Sequence, residues 1–222
     1  MKVSIVILTL NEICGMRIIM PLIKKEWYDE IIIVDGGSTD GTVEYAKEQG
    51  YNIFTQKEKG AGAAFSEAME KVTGDIVITF SPDGNSLPEK IPELIEKMKE
   101  GYDLVTVSRY LRGAKSYDDD ILTAFGNRMF TWLVNLLFGT GYSDLLVMYR
   151  CFKRELVESL GAYTQTPSWG TLLLLRATKH GLKIGEIPGD EPRRMGGQRK
   201  MKPFFNGTCE LFMIFKEFLK RD

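Results

Sequence analysis

The sequence predicts an α/β fold, a wound and mostly parallel sheet flanked by helices. Short apolar runs rich in β-branched residues, Val3 to Leu8, Ile31 to Val34 and Asp75 to Phe80, are bounded by turn residues, as in strands covered on both faces. Helical stretches alternate with such runs through about the first 110 residues, the signature of a wound sheet. Three runs also end in polar clusters: Thr9-Leu10-Asn11-Glu12, then Asp35-Gly36-Gly37-Ser38-Thr39-Asp40-Gly41-Thr42, then Ser81-Pro82-Asp83-Gly84-Asn85. Three strand ends thus deliver polar groups to one edge, where open α/β sheets bind ligands.

The elements follow in order. Val3 to Leu8 is the first strand and Ile31 to Val34 the second. Thr42 to Gln49 reads as a helix, capped by Asp40 or Thr39 and stopped by Gly50. Tyr51 to Thr55 is a strand, Ala61 to Lys71 an alanine-rich helix and Asp75 to Phe80 a strand. Pro88 to Lys99 is a helix with prolines near its first turn, and Leu104 to Ser108 the next strand. The second half is less regular: helix Leu122 to Phe138, strand Val147 to Phe152, helix Thr171 to His180, strand Lys183 to Ile187 and an aromatic-rich helix Pro203 to Lys220.

A chain of 222 residues, 44% of them hydrophobic, can bury one sizeable core, so residues 1–222 are expected to form a single domain. Within it, 1–110 is the regular half, 111–202 the less regular one and 203–222 a C-terminal amphipathic helix. A formal net charge of −1 gives no global attraction to nucleic acid or membrane, which leaves local patches to do such work. Cys14, Cys151 and Cys209 are odd in number and widely spaced, and His180 is the single histidine, against both a zinc site and a disulfide framework. A reducing cytoplasm is expected. Met1 to Leu10 reads as a core strand and not a signal peptide, because Asn11-Glu12 follows at once. No apolar run is expected to reach the roughly 18 residues that span a bilayer.

Several segments carry two readings. Around Asp35, the glycines shape a strand-to-helix turn whose polar residues satisfy free helix amides; alternatively, Asp35 accepts hydrogen bonds from a nucleobase at the strand edge. Pro82-Asp83-Gly84 is a good turn sequence in its own right. Asp144 is a cap or turn residue, or a carboxylate facing an acceptor. Five cations and no acid lie between Arg193 and Lys202, either a solvated basic loop or one that binds phosphate through its guanidinium groups. Gly60-Ala61-Gly62-Ala63-Ala64-Phe65 fails as a dinucleotide fingerprint, because Phe65 stands at the third glycine position. Asp118, Asp119 and Asp120 read as a solvated acidic loop.

As an ordered set these fragments resemble family 2 glycosyltransferases, especially the dolichol- and polyprenyl-phosphate sugar synthases. The resemblance implies a GT-A-type fold and inverting transfer from a nucleotide-diphosphate sugar to a lipid-phosphate or other hydroxyl or phosphate acceptor. It implies that 1–110 is the nucleotide-sugar-binding half and 111–202 the acceptor-side half. It implies donor contacts from Thr9, Asn11, Glu12, Asp35 and Gly62. Asp83, at the second position of the family's Asp-x-Asp, is implied as the Mg²⁺ or Mn²⁺ ligand, with Asn85 assisting; Ser81 replaces the first acid, and Gly36 stands where many relatives carry an acid. Asp144 matches the acceptor-side acid, which takes a proton from a hydroxyl or orients a phosphate. Arg109 in Ser108-Arg109-Tyr110 is implied to touch a phosphate. Arg193 to Met201 resembles the family's mobile Arg-x-x-Gly-x-Ser-Lys loop, giving Arg193, Arg194, Arg199 and Lys200 as phosphate contacts. A nucleotide-sugar-binding protein that has lost catalysis, favoured by Ser81, is one rival. A sugar nucleotidyltransferase is the other, although Thr9-Leu10-Asn11-Glu12 lacks its glycine-rich basic loop.

Phe204, Leu211, Phe215, Phe218 and Leu219 fall on one side of the last helix, with Phe205, Phe212, Met213 and Ile214 widening the apolar face. Leu122 to Phe138 offers a second such face. Both either rest on the inner face of a membrane, or pack on the sheet or form a homodimer interface.

Overall fold

The computed structural model describes residues 1–196 and 203–220. Seven strands form one sheet: β1 (Val3–Thr9), β2 (Glu30–Asp35), β3 (Asn52–Thr55), β4 (Ile76–Phe80), β5 (Leu104–Ser108), β6 (Arg150–Lys153) and β7 (Ile184–Pro188). Their order is β3-β2-β1-β4-β6-β5-β7, and only β6 runs antiparallel to its neighbours. Among the described residues eight α-helices accompany them: α1 (Ile13–Ile19), α2 (Thr42–Glu48), α3 (Ala61–Met69), α4 (Lys90–Lys99), α5 (Ile121–Phe138), α6 (Glu155–Ser159), α7 (Trp169–Lys179) and α8 (Pro203–Leu219).

The continuous apolar strands are explained by burial on two sides. Ile5, Ile7, Ile31, Ile33, Ile76 and Ile78 enter one core layer, while Val6, Ile32, Val34 and Val77 enter the other. Trp169 anchors the second layer: it stacks on Phe65 at 4.8 Å, and its indole N–H donates to the Ala162 carbonyl at 2.8 Å.

The chain lays β2 and β3 on one side of β1 and β4 on the other. The strand order therefore reverses between β1 and β4, and the crevice beyond their carboxyl ends is where such sheets bind ligands. Thr9 pairs with Asp35 at the last register position of β1 and β2. Gly15 lets α1 approach the end of β4, since a Cβ there would lie 2.0 Å from the Pro82 carbonyl oxygen.

Several boundaries differ from expectation. The chain after Asp144 stays irregular to Tyr149, and β6 begins only at Arg150, where pairing with Thr79 and Thr106 starts. Helix α1 was not expected, because Gly15 interrupts a short pattern that Asn11-Glu12 makes look like a loop. The cap of α2 is Gly41, with Asp40 reaching over it to accept from the Thr42 backbone N–H at 3.0 Å.

Against the expectation that no segment reaches spanning length, α5 has 18 residues and a mean hydropathy of 1.2. Phe130 and Val134 face the core, whereas Ile121, Leu122, Phe125, Met129, Trp132 and Leu136 form an exposed stripe. Helix α8 lies against α5, where Phe138 meets Phe218 edge-on at 5.8 Å, and against α7. It buries Met213, Ile214 and Glu217 and leaves Phe204, Phe212, Phe215 and Leu219 outside.

Two glycines separate packing from propensity. Gly15→Ala should destabilise by about 1–3 kcal/mol, because backbone must move to admit the methyl group. Gly126→Ala, in α5 with nothing within 4 Å of the added Cβ, should stabilise by about 0.5–1 kcal/mol. Urea denaturation checks both, and equal effects would contradict the packing described.

Candidate active site

The first polar cluster and the glycine turn interlock. The Asn11 backbone N–H donates to Ser38 Oγ at 2.8 Å, Asn11 Oδ1 accepts from the Thr39 backbone N–H at 2.8 Å, and the Glu12 backbone N–H donates to Thr42 Oγ1 at 3.0 Å. Asn11 holds a left-handed backbone at φ 56°, which asparagine tolerates. Asp35 is wholly buried. Its Oδ1 accepts from the Gly37 and Ser38 backbone amides at 2.9 and 2.8 Å, and its Oδ2 from the Thr9 and Ser38 hydroxyls. Four donors match the roughly four acceptor sites of a carboxylate, so Asp35 here fixes the turn. Burial pushes the Asp40 carboxyl up, but hydrogen bonds from Thr42 and Ile13 outweigh it and hold it below the ordinary range.

Gly62 is placed by packing and not by an open cradle: a Cβ there would meet the Thr166 carbonyl oxygen at 2.1 Å.

Across the crevice, Asp83 is 6% exposed. Its Oδ1 accepts from the Asn85 backbone N–H at 3.1 Å, and its Oδ2 meets Arg194 Nη2 at 3.0 Å. Arg194 Nη1 lies 3.9 Å from Glu12 Oε1. Asn85 Nδ2 donates to Asp118 Oδ2 at 3.1 Å, which fixes the amide and leaves its buried Oδ1 without a hydrogen bond. Arg193 is exposed beside this pair; Arg199 and Lys200 lie outside the described residues.

A second polar cluster is built around Arg109. Its Nε donates to Asp144 Oδ2 at 2.7 Å and its Nη2 to Asp144 Oδ1 at 2.9 Å, a bidentate fork. The Arg109 backbone N–H adds a third bond to Asp144 at 3.1 Å, Nη1 reaches Glu191 at 3.3 Å, and Asp119 lies at 3.8 Å. Burial pulls this guanidinium down, and the charges of Asp144 and Glu191 more than offset that, so it stays protonated. Arg109 is thus enclosed by carboxylates, where the sequence suggested contact with a phosphate. Glu186 holds the chain on the other side, accepting from the Ser143 and Asp144 backbone amides.

The three consecutive aspartates are not a solvated loop. Asp118 accepts from Asn85 and from the Arg194 backbone N–H, Asp119 accepts from the Tyr110 hydroxyl and from Asn127, and Asp120 caps α5 by accepting from Thr123. Only Asp120 had a readable sign, a threonine three residues on at the start of a long apolar helix.

Sequence reasoning also missed Arg150 and Glu210. Arg150 is fully buried and donates to the Gly170 and Val147 carbonyls, and burial lowers its pKa to about 10. Glu210 on α8 bonds to Thr171 and Ser168 at the start of α7. Neither residue lies in a recognisable motif.

A seven-stranded sheet with this order, and with carboxylates and cations gathered at the switch point, has the architecture of GT-A-type nucleotide-sugar transferases. The chain belongs to glycosyl transferase family 2, whose profile matches residues 4–161. It is 30% identical over 180 residues to the dolichyl-phosphate hexose transferase of Haloferax volcanii, covering 81% of this chain and 77% of that protein. It is also 30% identical over 178 residues to the undecaprenyl-phosphate 4-deoxy-4-formamido-L-arabinose transferase of Klebsiella pneumoniae, covering 77% of this chain and 52% of the relative. Among solved structures it resembles glucosyl-3-phosphoglycerate synthase of Mycobacterium tuberculosis in complex with Mn²⁺, UDP and phosphoglyceric acid. The TM-score is 0.76 at 23% identity, over 100% of this chain and 80% of that one.

Glu210 yields a pH prediction. Burial raises its pKa above the ordinary value, and the hydroxyls of Thr171 and Ser168 with the charge of Arg150 only partly offset this. A raised folded-state pKa gives stability that is fully present below the unfolded value and lost as pH rises through the folded one. Glu210→Gln should therefore gain stability relative to the parent as pH rises from about 4.5. Denaturation midpoints across that range test this; a constant difference would exclude titration at this site.

Proposed function

We propose that the chain is an inverting glycosyltransferase that moves a hexose from a nucleotide-diphosphate sugar to a lipid phosphate at the cytoplasmic face of a membrane. The observation that carries this reading is the state of Asp144, 1% exposed and gripped by both arms of the Arg109 fork. A hydroxyl acceptor must lose a proton as it attacks, and a base needs a free lone pair facing it. A phosphate acceptor brings its own charged oxygen. That oxygen forms a bond to the anomeric carbon while the bond to the nucleoside diphosphate breaks, and the diphosphate leaves with the electron pair. Asp144 then acts by holding Arg109 and the acceptor-side chain in place, and catalysis rests on positioning and charge neutralisation. Both relatives above are named for transfer to a polyprenyl or dolichyl phosphate.

On the donor side, the turn fixed by Asp35 would form the floor for the base, with Asn11 and Glu12 held against that turn and Arg193 exposed next to Arg194. Asp83 and the unpartnered Asn85 Oδ1 are hard oxygen donors suited to Mg²⁺ or Mn²⁺, which binds through one or two protein oxygens with the rest from phosphates and water. Among the described residues no group of three or more His, Cys, Asp or Glu could hold a metal alone, so these two would hold the cation together with the donor. Bound there, it would neutralise the departing diphosphate.

The exposed stripes of α5 and α8 supply the membrane contact. Phe125, Trp132 and Leu136 on one helix and Phe204, Phe212 and Leu219 on the other are each at least 63% exposed, more apolar surface than solvent alone explains. Aromatic side chains suit the headgroup boundary, and nearby Arg128 and Lys216 suit anionic lipid.

A panel of UDP-, GDP- and dTDP-sugars with Mn²⁺, offered undecaprenyl phosphate or a simple alcohol, tests the reaction. Transfer to the phosphate is expected. Asp83→Asn should lose metal-dependent nucleotide binding, and Asp144→Asn should lower turnover on the phosphate by less than the ~10²–10⁴-fold typical of a lost base. Transfer to the alcohol alone, with a loss of that larger size in Asp144→Asn, would overturn the phosphate assignment. Donor binding without transfer to any acceptor would instead favour the binding-protein reading that Ser81 suggests.

Flotation with anionic liposomes tests the surface. The parent should float at low salt, and Phe125→Asp with Trp132→Asp should not. A stable dimer that ignores liposomes would make the same faces a homodimer interface.

A further inference from the structure

Arg194 reaches Asp83 on a short strap, residues 192–196, that closes over the turn after β4. The Met195 backbone N–H donates to the Asp83 carbonyl at 2.8 Å, and the Arg194 backbone N–H donates to Asp118 Oδ1 at 3.2 Å. Asp118 also holds the Asn85 amide, so one strap engages both residues of the cation site. Gly84, at φ 93°, makes room for it, since a Cβ there would lie 2.7 Å from Met195 Cγ. At its far end Gly196 lies on α1, where an added Cβ would come within 2.9 Å of Cys14 Cβ.

This closed arrangement leaves two buried polar atoms of opposite sense without a partner: Arg194 Nε, a donor, and Asn85 Oδ1, an acceptor. Buried polar atoms without partners are costly, so a resting contact that strands one on each side has another state in which both are used. An anionic oxygen would satisfy the first and a cation the second. Those are the two things a donor diphosphate and its metal bring together.

We propose that Arg194 and the divalent cation are alternative occupants of Asp83, so that Arg194 guards the empty site and transfers to the diphosphate when the donor arrives. This rests on the reading of Asp83 as the cation's ligand. With Ser81 in place of an acid, Asp83 is the single carboxylate of its motif, and a guanidinium 3.0 Å from it repels a second positive charge. Cation affinity is then low without donor. It rises with donor by more than direct contact supplies, because the diphosphate also removes the competitor, and the coupling is reciprocal.

The test measures Mn²⁺ binding by paramagnetic resonance of the free ion, with and without UDP or GDP, on the full chain. Arg194→Gln should bind Mn²⁺ about five- to tenfold more tightly than the parent without nucleotide, within the usual range of coupling between sites. In the same variant, nucleotide should strengthen Mn²⁺ binding less than it does in the parent. A second variant closes the strap covalently: Gly196→Cys in a Cys209→Ser background, oxidised against Cys14, should lose Mn²⁺ binding and regain it on reduction. Unchanged or weaker Mn²⁺ affinity in Arg194→Gln, while Asp83→Asn still abolishes binding, would overturn the competition and leave the cation site standing. Unchanged Mn²⁺ binding in Asp83→Asn would remove the site itself, and the competition with it.

Discussion

A carboxylate withdrawn from water must find donors or a countercharge, and that requirement organises the whole functional edge. Asp35, Asp83 and Asp144 are all buried, and each is matched differently. Asp35 is met by four neutral donors, three from its own turn and one from the Thr9 hydroxyl at the end of β1, which makes it rigid. Asp144 is met by the fork of Arg109, itself enclosed by further acids, so that part of the edge forms a network with no loose member. Asp83 is met by the Asn85 backbone N–H of its own turn and by one guanidinium, on a strap that leaves polar atoms unpartnered on both sides. The edge is therefore graded from fixed to exchangeable, and the exchangeable carboxylate lies at the switch point of the sheet.

The strands of the first half were readable because burial on both faces leaves a continuous apolar run, and turn residues bound each one. The family was legible separately, through the resemblance carried by the ordered motifs. Reading failed where an element depends on distant partners. Strand β6 exists because Arg150 to Lys153 fit between β4 and β5, whereas the more apolar Val147 to Tyr149 join no paired register, although the Tyr149 carbonyl still accepts from the Val107 N–H. Helix α1 is short and interrupted by a glycine whose reason is the nearby Pro82 carbonyl, invisible in local sequence.

The site shows the same division. The family resemblance singled out Asp83, Asp144 and the basic segment, but not what they touch. A phosphate contact for Arg109 was implied by the family's Ser-Arg-Tyr motif; the three acids that enclose it come from residues 119, 144 and 191, which no local pattern connects. Asp118 to Asp120 resembled a solvated run because like charges in sequence usually repel into water, yet here each side chain faces a different partner.

The single reversed strand has an evolutionary consequence. Because β6 runs against β5 and sits beside it, with Thr106 opposite Arg150, the chain that leaves the sheet at Ser108 returns next to its own point of departure. The Arg109 fork on Asp144 and the contact of the Ser108 and Ser143 hydroxyls at 2.6 Å close the neck of that excursion like a drawstring. The exposed residues 112–113 between can lengthen, shorten or change at little cost in loop entropy, because both ends are already held together, whereas Asp118, Asp119 and the core face of α5 are tied by the contacts described above. Such a neck lets the outer turn change in length over evolution while β5 and β6 keep their pairing.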